Sequence, residues 1–351
     1  MERTDKRILI TGCGGPIGVN VTRSLRMAPE ALRLVGTDCN RFHLHLALTD
    51  SAHWVPPARE GEAYLAALRA LIERESIGMI LPTHPAEVRA LSALRTELGA
   101  VRLFIPPDAV IHAAQDKWRT NQTLLAAGVP VPRTFRLDDE ASVVRAFDEL
   151  STRPVWVRGA GVPGAGIGIA SLPCREPRHA SAWVDHWRGW GKMIASEYLA
   201  GRNLTWSGLF DQGRLVASQS RERLEYVLPH VSPSGITGAP AVSRTIASGA
   251  LQQTGLTAVS ALAPEPHGIF FVDFKENDDG VALVTEINAG RFGTTIHFYS
   301  EAGFNFPYAL VQLAYGEWSE TTPRIDPIAP NTYWIRTLDC GPVLLRDIVD
   351  A

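Results

Sequence analysis

The sequence has few cysteines and no cysteine spacing that is typical of a metal site. Its 351 residues include four cysteines, at positions 13, 39, 174 and 340. None of them forms a CxxC pair or another zinc-type spacing. We therefore expect four reduced thiols, as is usual in cytoplasmic proteins.

Long apolar segments are also absent. No window of about 18 consecutive apolar residues occurs, so the sequence predicts no membrane span. The opening residues MERTDKRILITG lack the apolar region of a signal peptide. We expect a protein of the cytoplasm with no membrane partner.

Neither sign of charge dominates the chain. It carries 34 Lys and Arg residues against 37 Asp and Glu residues, and they are mixed along its length. This distribution does not favour a nucleic-acid partner. A local cationic pocket for a small nucleotide is compatible with it.

Apolar residues, in contrast, are plentiful. They make up 45% of the chain, enough for the cores of two or three packed units. Residues 1–112 alternate short apolar runs with helical patterns, which predicts an α/β domain with a parallel sheet. Residues 113–195 and 196–318 mix strand and helix patterns and predict two α+β units. Residues 319–351 predict a peripheral hairpin or tail.

A glycine-rich turn follows the first apolar run. TGCGGPIG places Gly12, Gly14, Gly15 and Gly18 between a strand and a helix, and Asp38 ends the second strand. Such a turn lets a phosphate approach the N–H groups of a helix N-terminus. The same turn also occurs for purely architectural reasons, and we favour that interpretation.

A second glycine-rich segment follows the strand PVWVR. GAGVPGAGIG has glycines at 159, 161, 164, 166 and 168, more than packing alone explains, because each one costs conformational entropy. The segment predicts a flexible flap whose N–H groups fold over a polyphosphate. Arg158 would direct a positive charge at the same phosphates.

The most specific pattern is FFVDFKENDDGVALVTEINAGR. It predicts a hairpin of two strands joined by the NDDG turn. Asp273 lies on the first strand, and Glu286 and Asn288 lie two apart on the second, so they face the same side. Oxygen ligands of this kind suit magnesium. Without a metal, we expect the Glu286 carboxylate to be uncompensated.

Taken in order, these features resemble the ATP-grasp superfamily over about residues 6–318. The likeness is to carboxylate–amine ligases and to proteins similar to the large subunit of carbamoyl-phosphate synthase. It implies a Rossmann-like pre-ATP-grasp domain followed by a two-subdomain α+β ATP-grasp fold. QDKWRTNQTLLAAGVPVP resembles the opening of the ATP-grasp domain, and SEYLAGRN resembles the hinge that binds adenine.

The resemblance also implies roles for individual residues. Those expected to bind ATP are Lys117, Arg158, Gly161, Gly164, Gly166, Glu197, Tyr198, Leu199 and Asn203. The metal ligands would be Asp273, Glu286 and Asn288. Arg221, Arg223 and Arg244 flank a long loop and are candidates for gripping the γ-phosphate or an acidic substrate, and Arg291 would act on the acyl phosphate.

The sequence departs from the family pattern at several of these positions. Arg158 replaces a lysine, Ser196 and Asn203 replace common acids, and Arg291 lies one place later than in E-x-N-P-R. Arginine keeps the positive charge of lysine but presents it on a planar fork.

The resemblance therefore implies an ATP- and magnesium-dependent ligase, with manganese as a substitute metal. The enzyme would activate a carboxylate as an acyl phosphate for attack by an amine. Carbamoyl-phosphate-type chemistry on bicarbonate or carbamate is the near alternative. An NAD(P)-dependent extended short-chain reductase and a non-catalytic nucleotide-binding module also stay open, as does a homodimer. T-G-x-x-G-x-x-G at 11–18 fits the reductase, but no tyrosine has the required lysine four places on.

Overall fold

A computed structural model describes residues 6–152, 154–161 and 170–338, together with the backbone of residues 343–346. Within these residues the chain forms three β-sheets and ten α-helices. Gly164, Gly166 and Gly168 of the predicted flap lie outside the described residues, as does Cys340. The other three cysteines are free thiols.

The first sheet is parallel and has five strands in the order β3-β2-β1-β4-β5. Its parallel pairing confirms the alternation of strands and helices predicted for this region. β3 is not predicted from the sequence, because SAHW is short and has no apolar run. The elements are β1 (Lys6–Thr11), α1 (Pro16–Arg26), β2 (Leu32–Asp38), β3 (Ser51–Trp54), α2 (Gly61–Glu75), β4 (Met79–Leu81), α3 (Pro85–Ala93) and β5 (Arg102–Leu103).

β1 is buried on both faces, which explains why it reads as a continuous apolar run. Ile8 and Ile10 belong to a core shared with the large sheet described below. Leu9 points the other way and packs with Leu68 of α2 and Val88 of α3. The parallel sheet is therefore covered by α2 and α3 on one face, and by α1 and the rest of the molecule on the other.

The second sheet is antiparallel and has four strands in the order β6-β9-β7-β8. Val155 and Val157 point into the core beneath its helices. The alternate residues Trp156 and Arg158 therefore face the opposite side. The elements are α4 (Asp108–Gln115), α5 (Lys117–Ala126), β6 (Thr134–Leu137), α6 (Glu140–Glu149), β7 (Val155–Gly159), β8 (Leu172–Cys174), α7 (Pro177–His186) and β9 (Met193–Glu197).

The third sheet has eight strands in the order β14-β13-β10-β11-β12-β16-β17, with β15 paired to β11. All its pairings are antiparallel except the β11–β15 pair. The elements are β10 (Asn203–Asp211), β11 (Arg214–Tyr226), β12 (Pro240–Ile246), α8 (Gly249–Leu262), β13 (Gly268–Glu276), β14 (Ala282–Ala289), α9 (Ile296–Glu301), α10 (Phe306–Ala314), β15 (Arg324–Ile325), β16 (Thr332–Ile335) and β17 (Val343–Arg346). Short 3₁₀ helices occupy His43–Leu46, Ala58–Glu60, Arg95–Leu98 and Pro229–Val231.

The C-terminal hairpin is not peripheral, contrary to the prediction. β16 pairs with β12 and continues the eight-stranded sheet. Trp334 of β16 is 1% exposed and stacks 5.5 Å from the ring of Phe298. The hairpin is integrated into the fold because Trp334 packs in the core shared by the parallel and eight-stranded sheets.

None of the helices in the described ranges combines the length and apolar character needed to cross a bilayer.

A glycine of α8 lies against a buried tryptophan of the large sheet. Trp206 is completely buried, and its Nε1 donates to Gln252 Oε1 of the same helix at 2.6 Å. A Cβ atom at Gly255 would lie 2.6 Å from the indole ring. At Gly249, the first residue of α8, an added Cβ would meet nothing within 4 Å.

This packing predicts opposite responses to the same substitution in one helix. Gly255→Ala should lower the free energy of unfolding by about 1–3 kcal/mol, because the indole cannot move away without disturbing the core. Gly249→Ala should change it by less than about 0.5 kcal/mol. Urea unfolding followed by circular dichroism measures both, and equal midpoints for the two variants would contradict this packing.

Candidate active site

A cavity of about 720 Å³ lies between the four-stranded sheet and the eight-stranded sheet. Most of the residues that the sequence singles out line this one cavity, although they come from six strands, one helix and two loops. Those residues are Lys117, Arg158, Glu197, Tyr198, Leu199, Asn203, Arg221, Arg223, Asp273, Glu286, Asn288 and Arg291.

Strand register aligns the polar residues of the large sheet in a row. Asp273 of β13 is paired directly with Glu286 of β14 and with Thr205 of β10, and Thr205 is paired with Arg221 of β11. Directly paired residues point to the same face of a sheet. The hairpin predicted from the sequence is thus present, with its two carboxylates side by side.

A β-bulge sits beside these carboxylates. The register shifts between Asp273 and Phe274, so that Thr285 of β14 has no direct partner on β13. Arg158 Nη2 of the opposite sheet donates to the Thr285 carbonyl at 2.7 Å. The bulge therefore provides an acceptor that holds Arg158 across the cavity, a use typical of bulges near functional sites.

Glu286 is compensated by cations, contrary to the expectation from the sequence. Lys117 Nζ lies 3.5 Å from Glu286 Oε2. Burial alone would raise the pKa of this carboxyl group. The charges of Lys117, Arg158, Arg291 and Arg223 outweigh that effect and lower the pKa to about 2. Glu286 is thus an anion held by positive charges, even with no metal beside it.

Asp273 is also held by neighbours on the sheet. Thr205 Oγ1 donates to Asp273 Oδ1 at 2.9 Å, and Arg223 Nη2 lies 3.3 Å from the same oxygen. The Arg223 side chain is 14% exposed, and its Nε has no hydrogen-bond partner among the described residues. Burial alone would lower the pKa of Arg223, but the combined effect of Asp273, Tyr226, Glu286 and Tyr299 raises it.

The late position of Arg291 is accommodated by the glycine before it. Gly290 has a φ of +79°, and a Cβ there would lie 2.9 Å from Val88 of α3. The turn at Gly290 brings Arg291 back to the cavity, where it donates to Asn288 Oδ1 and to the Phe292 carbonyl. The extra residue of EINAGR is therefore taken up in a turn.

Lys117 lies at the start of α5, below the glycine-rich segment. Its N–H donates to the Ala160 carbonyl at 2.7 Å, and Asp116 caps the helix. Gly161 has a φ of +90°, and a Cβ there would lie 2.1 Å from the Gln115 carbonyl oxygen. Gly161 is therefore required for this close approach. Of the three flap glycines expected to bind ATP (Gly161, Gly164 and Gly166), the structure describes Gly161.

The predicted hinge lies at the end of β9. Glu197 Oε1 accepts from the Arg133 N–H at 3.0 Å, and the Tyr198 N–H donates to Thr152 Oγ1 at 2.9 Å. Ser196, which replaces an acid, shares a hydrogen bond of 2.9 Å with Thr134 of β6. These contacts fix the hinge backbone along one wall of the cavity.

Arg221 and Arg244 are separated by the alternation of side chains. Arg221 points into the cavity, where it donates to Thr295 and lies 5.8 Å from the centre of the Tyr299 ring. Arg244 of β12 is paired with Glu222, on the other face of the sheet, and bonds its carboxylate at 2.8 and 3.0 Å. The prediction that Arg244 belongs to the site is not supported, and Arg223 is the second arginine that β11 directs into the cavity.

The N-terminal glycine turn is closed by the chain itself. The Gly14 N–H donates to Asp38 Oδ2 at 3.2 Å, and a Cβ at Gly14 would lie 1.9 Å from the His43 carbonyl oxygen. The Asp38 carboxylate engages one N–H of the turn, and Pro16 removes another from the start of α1. This geometry favours the architectural interpretation of the turn.

Trp156 and Lys275 are among the cavity residues that sequence reasoning missed. Trp156 faces the cavity beside Arg158, with its ring 6.2 Å from that of Tyr198. Lys275 lines it two residues after Asp273. The period-2 alternation of the strands could have found both, since each lies two residues from a residue already assigned.

Comparison with known proteins gives a short sequence match and long structural ones. No family model matches the sequence. D-alanine–D-alanine ligase B of Chromobacterium violaceum is 31% identical over 88 residues. That segment is 25% of this chain and 28% of the length of the ligase, so it covers well under two thirds of that relative.

The structural matches extend over almost the whole chain. Biotin carboxylase of Campylobacter jejuni, solved as a complex with β,γ-ATP, has a TM-score of 0.69 and 18% identity, covering 94% of this chain and 75% of its own. L-amino acid ligase of Bacillus licheniformis has a TM-score of 0.67 and 16% identity, covering 95% and 79%. N5-carboxyaminoimidazole synthetase of Staphylococcus aureus, complexed with ADP, has a TM-score of 0.71 and 15% identity, covering 95% and 83%.

These neighbours are ATP-grasp ligases, the superfamily that the motifs resemble. The chain therefore has the ATP-grasp fold, a mixed α/β architecture with one parallel and two antiparallel sheets.

Proposed function

We propose that this protein is an ATP- and magnesium-dependent ligase that activates a carboxylate as an acyl phosphate for attack by an amine. The observation that carries the proposal is the charge of the cavity. Six cationic side chains line it (Lys117, Arg158, Arg221, Arg223, Lys275 and Arg291) against three carboxylates (Glu197, Asp273 and Glu286). Such an excess of partly buried positive charge suits a polyphosphate.

The proposed domain layout follows the ATP-grasp pattern. Residues 1–112 would be the Rossmann-like pre-ATP-grasp domain, residues 113–195 the N-subdomain with the glycine flap, and residues 196–318 the C-subdomain with the metal site. The parallel, four-stranded and eight-stranded sheets support this division. Residues 319–351 would extend the C-subdomain, since β16 pairs with β12.

Asp273, Glu286 and Asn288 would hold the magnesium ion, or manganese in its place. No group of three or more His, Cys, Asp and Glu residues suited to a metal occurs in the described part of the chain. The donor set is thus two carboxylates and one amide oxygen, and phosphates and waters would complete it, which fits magnesium better than zinc. When bound, such an ion neutralises charge on the phosphate oxygens.

The protein's own residues would position the nucleotide. The backbone of Glu197 and Leu199 would meet the adenine edge, and Asn203 would hydrogen-bond a ribose hydroxyl. Lys117 and Arg158 both lie close to Glu286 and would bind the phosphates. Arg158 Nε is buried and has no partner among the described residues, so it is free for such a contact.

Arg221 lies in the same row as Asp273 and Glu286, and Arg291 follows Asn288 in the loop after β14. A substrate carboxylate oxygen would attack the γ-phosphorus there, and ADP would leave. The two guanidinium groups would stabilise the charge that develops on the transferred phosphoryl group. An amine would then attack the acyl carbon and release phosphate. The glycine-rich flap predicted from the sequence would exclude water from the acyl phosphate.

Bicarbonate is a second candidate for the activated acid. The structural neighbours include a biotin carboxylase and carboxyaminoimidazole synthetases as well as an L-amino acid ligase. The reductase alternative is disfavoured because no tyrosine has the required lysine four places on. The non-catalytic alternative is disfavoured by the intact row of Asp273 and Glu286 with their cations.

The charge of the cavity predicts magnesium-dependent binding of ATP. Calorimetric titration with ATP should give a binding heat in magnesium buffer and much weaker binding in EDTA, because the triphosphate would then face Asp273 and Glu286 without a metal between them. NAD and NADP should give no comparable heat. Equal ATP binding in both buffers would contradict the metal site.

The position of Glu286 predicts that Glu286→Gln removes activity. If its charge lowers the barrier by about 4 kcal/mol, ADP formation should fall roughly a thousandfold. Glu225→Gln, which neutralises an exposed carboxylate at the far end of β11, should keep the wild-type rate. An ADP-release screen with pooled carboxylic acids and amines, followed by mass spectrometry, identifies the substrates for this assay.

Glu286→Gln should also be less stable than the wild type, since Lys117 and Arg158 would lose their counter-charge. Because the folded pKa of Glu286 lies near 2, below its ordinary value of 4.5, the ion cluster stabilises the fold above about pH 4.5. That stabilisation is lost as the pH falls through 2. Thermal melting of wild type and variant from pH 7 downward tests the sign, and a variant that melts later at pH 7 would contradict it.

A further inference from the structure

We propose that Lys275 binds the α-phosphate of the nucleotide and thereby sets the affinity of the site for adenine nucleotides over adenosine. The inference rests on the proposed function, since it assumes that the cavity takes ATP. It adds a phosphate ligand at a position that the motif resemblance does not assign.

Strand register places Lys275 on the hinge side of the carboxylate row. Asn203 of β10 is paired directly with Lys275 of β13 on one side and with Arg223 of β11 on the other. These three residues form a second row, next to that of Asp273, Thr205 and Arg221. All three line the cavity.

The spacing of the two rows matches the length of a nucleotide. Residues two apart on a strand are separated by about 6.8 Å. If the β- and γ-phosphates lie at Asp273 and Glu286, the row of Lys275 meets the next part of the molecule towards the hinge. That part is the α-phosphate and the ribose.

The charge of Lys275 has no counter-charge in the cavity. No ion pair joins Lys275 to another residue in the described ranges of the chain, and Arg223 is engaged with Asp273. Glu276, the adjacent carboxylate, points to the other face and is bound by Arg202 at 2.6 and 2.8 Å. The Lys275 side chain is half-buried.

An unpaired and partly desolvated ammonium group needs an anion. Adenine and ribose carry no charge, so the α-phosphate is the only anion of ATP expected at this row. Asn203 fits the same arrangement, because a carboxylate at its position would compete with the phosphate for Lys275. Binding of the α-phosphate thus explains both why Lys275 lies at this row and why position 203 carries Asn instead of an acid.

Binding of four ligands to the full chain tests the inference. Dissociation constants are measured in magnesium buffer for ATP, ADP, AMP and adenosine, with wild type, Lys275→Met, Lys275→Arg and the control Lys192→Met, whose lysine lies outside the cavity lining. Lys275→Met should weaken ATP, ADP and AMP by a similar factor of about ten, the size expected for a lost charge-assisted contact. Adenosine binding should not change, and Lys275→Arg should keep most of the affinity.

The alternatives give different patterns. A loss for ATP and ADP with unchanged AMP would place the contact at the outer phosphates, and an equal loss for adenosine would place it at the ribose or base. Either result overturns the assignment. If the wild type binds ATP, and Lys275→Met binds each of the four ligands as tightly as the wild type does, this inference alone fails. If wild type binds no nucleotide, the proposed function fails with it. Melting curves of each variant show whether it is folded.

Discussion

The structure around the cavity depends on one cluster of opposite charges centred on Glu286. Its cations come from distant parts of the chain: Lys117 from α5, Arg158 from β7, Arg223 from β11 and Arg291 from the loop after β14. Buried charges are costly unless they are paired, so each member stabilises the position of the others. The cluster therefore holds the two antiparallel sheets at a fixed separation, with the cavity between them.

The cluster is not neutral, and this has a functional consequence. Cations outnumber carboxylates in the cavity lining two to one. Part of the electrostatic free energy needed to assemble the site is then recovered only when an anionic ligand enters. A ligand that binds the folded chain alone stabilises it by mass action. We expect the fold and the nucleotide site to be coupled for this reason.

The two glycine-rich segments of the sequence illustrate how similar local patterns take different roles. In the N-terminal turn, the Gly14 N–H is bound by Asp38 and its Cα packs closely against the His43 carbonyl. In the second segment, Gly161 packs against the Gln115 carbonyl at the junction between α4 and α5, close to Lys117. The two segments have similar glycine contents. They differ in the residues that the tertiary structure packs against each of them.

The sequence alone determined the features that depend on local periodicity and spacing. Alternating patterns in residues 6–103 specify the parallel strands, apart from the short β3, and the two-residue spacing of Glu286 and Asn288 specifies that they share a face. The order of motifs was enough to predict the ATP-grasp fold.

Only the tertiary structure decided which strand pairs with which, and in what register. Register turned Arg244 to the outer face and brought Lys275 beside Asn203. The tertiary structure also added the C-terminal hairpin to the large sheet and brought cations from other elements to Glu286. These outcomes depend on contacts between residues far apart in the chain, which local periodicity cannot encode.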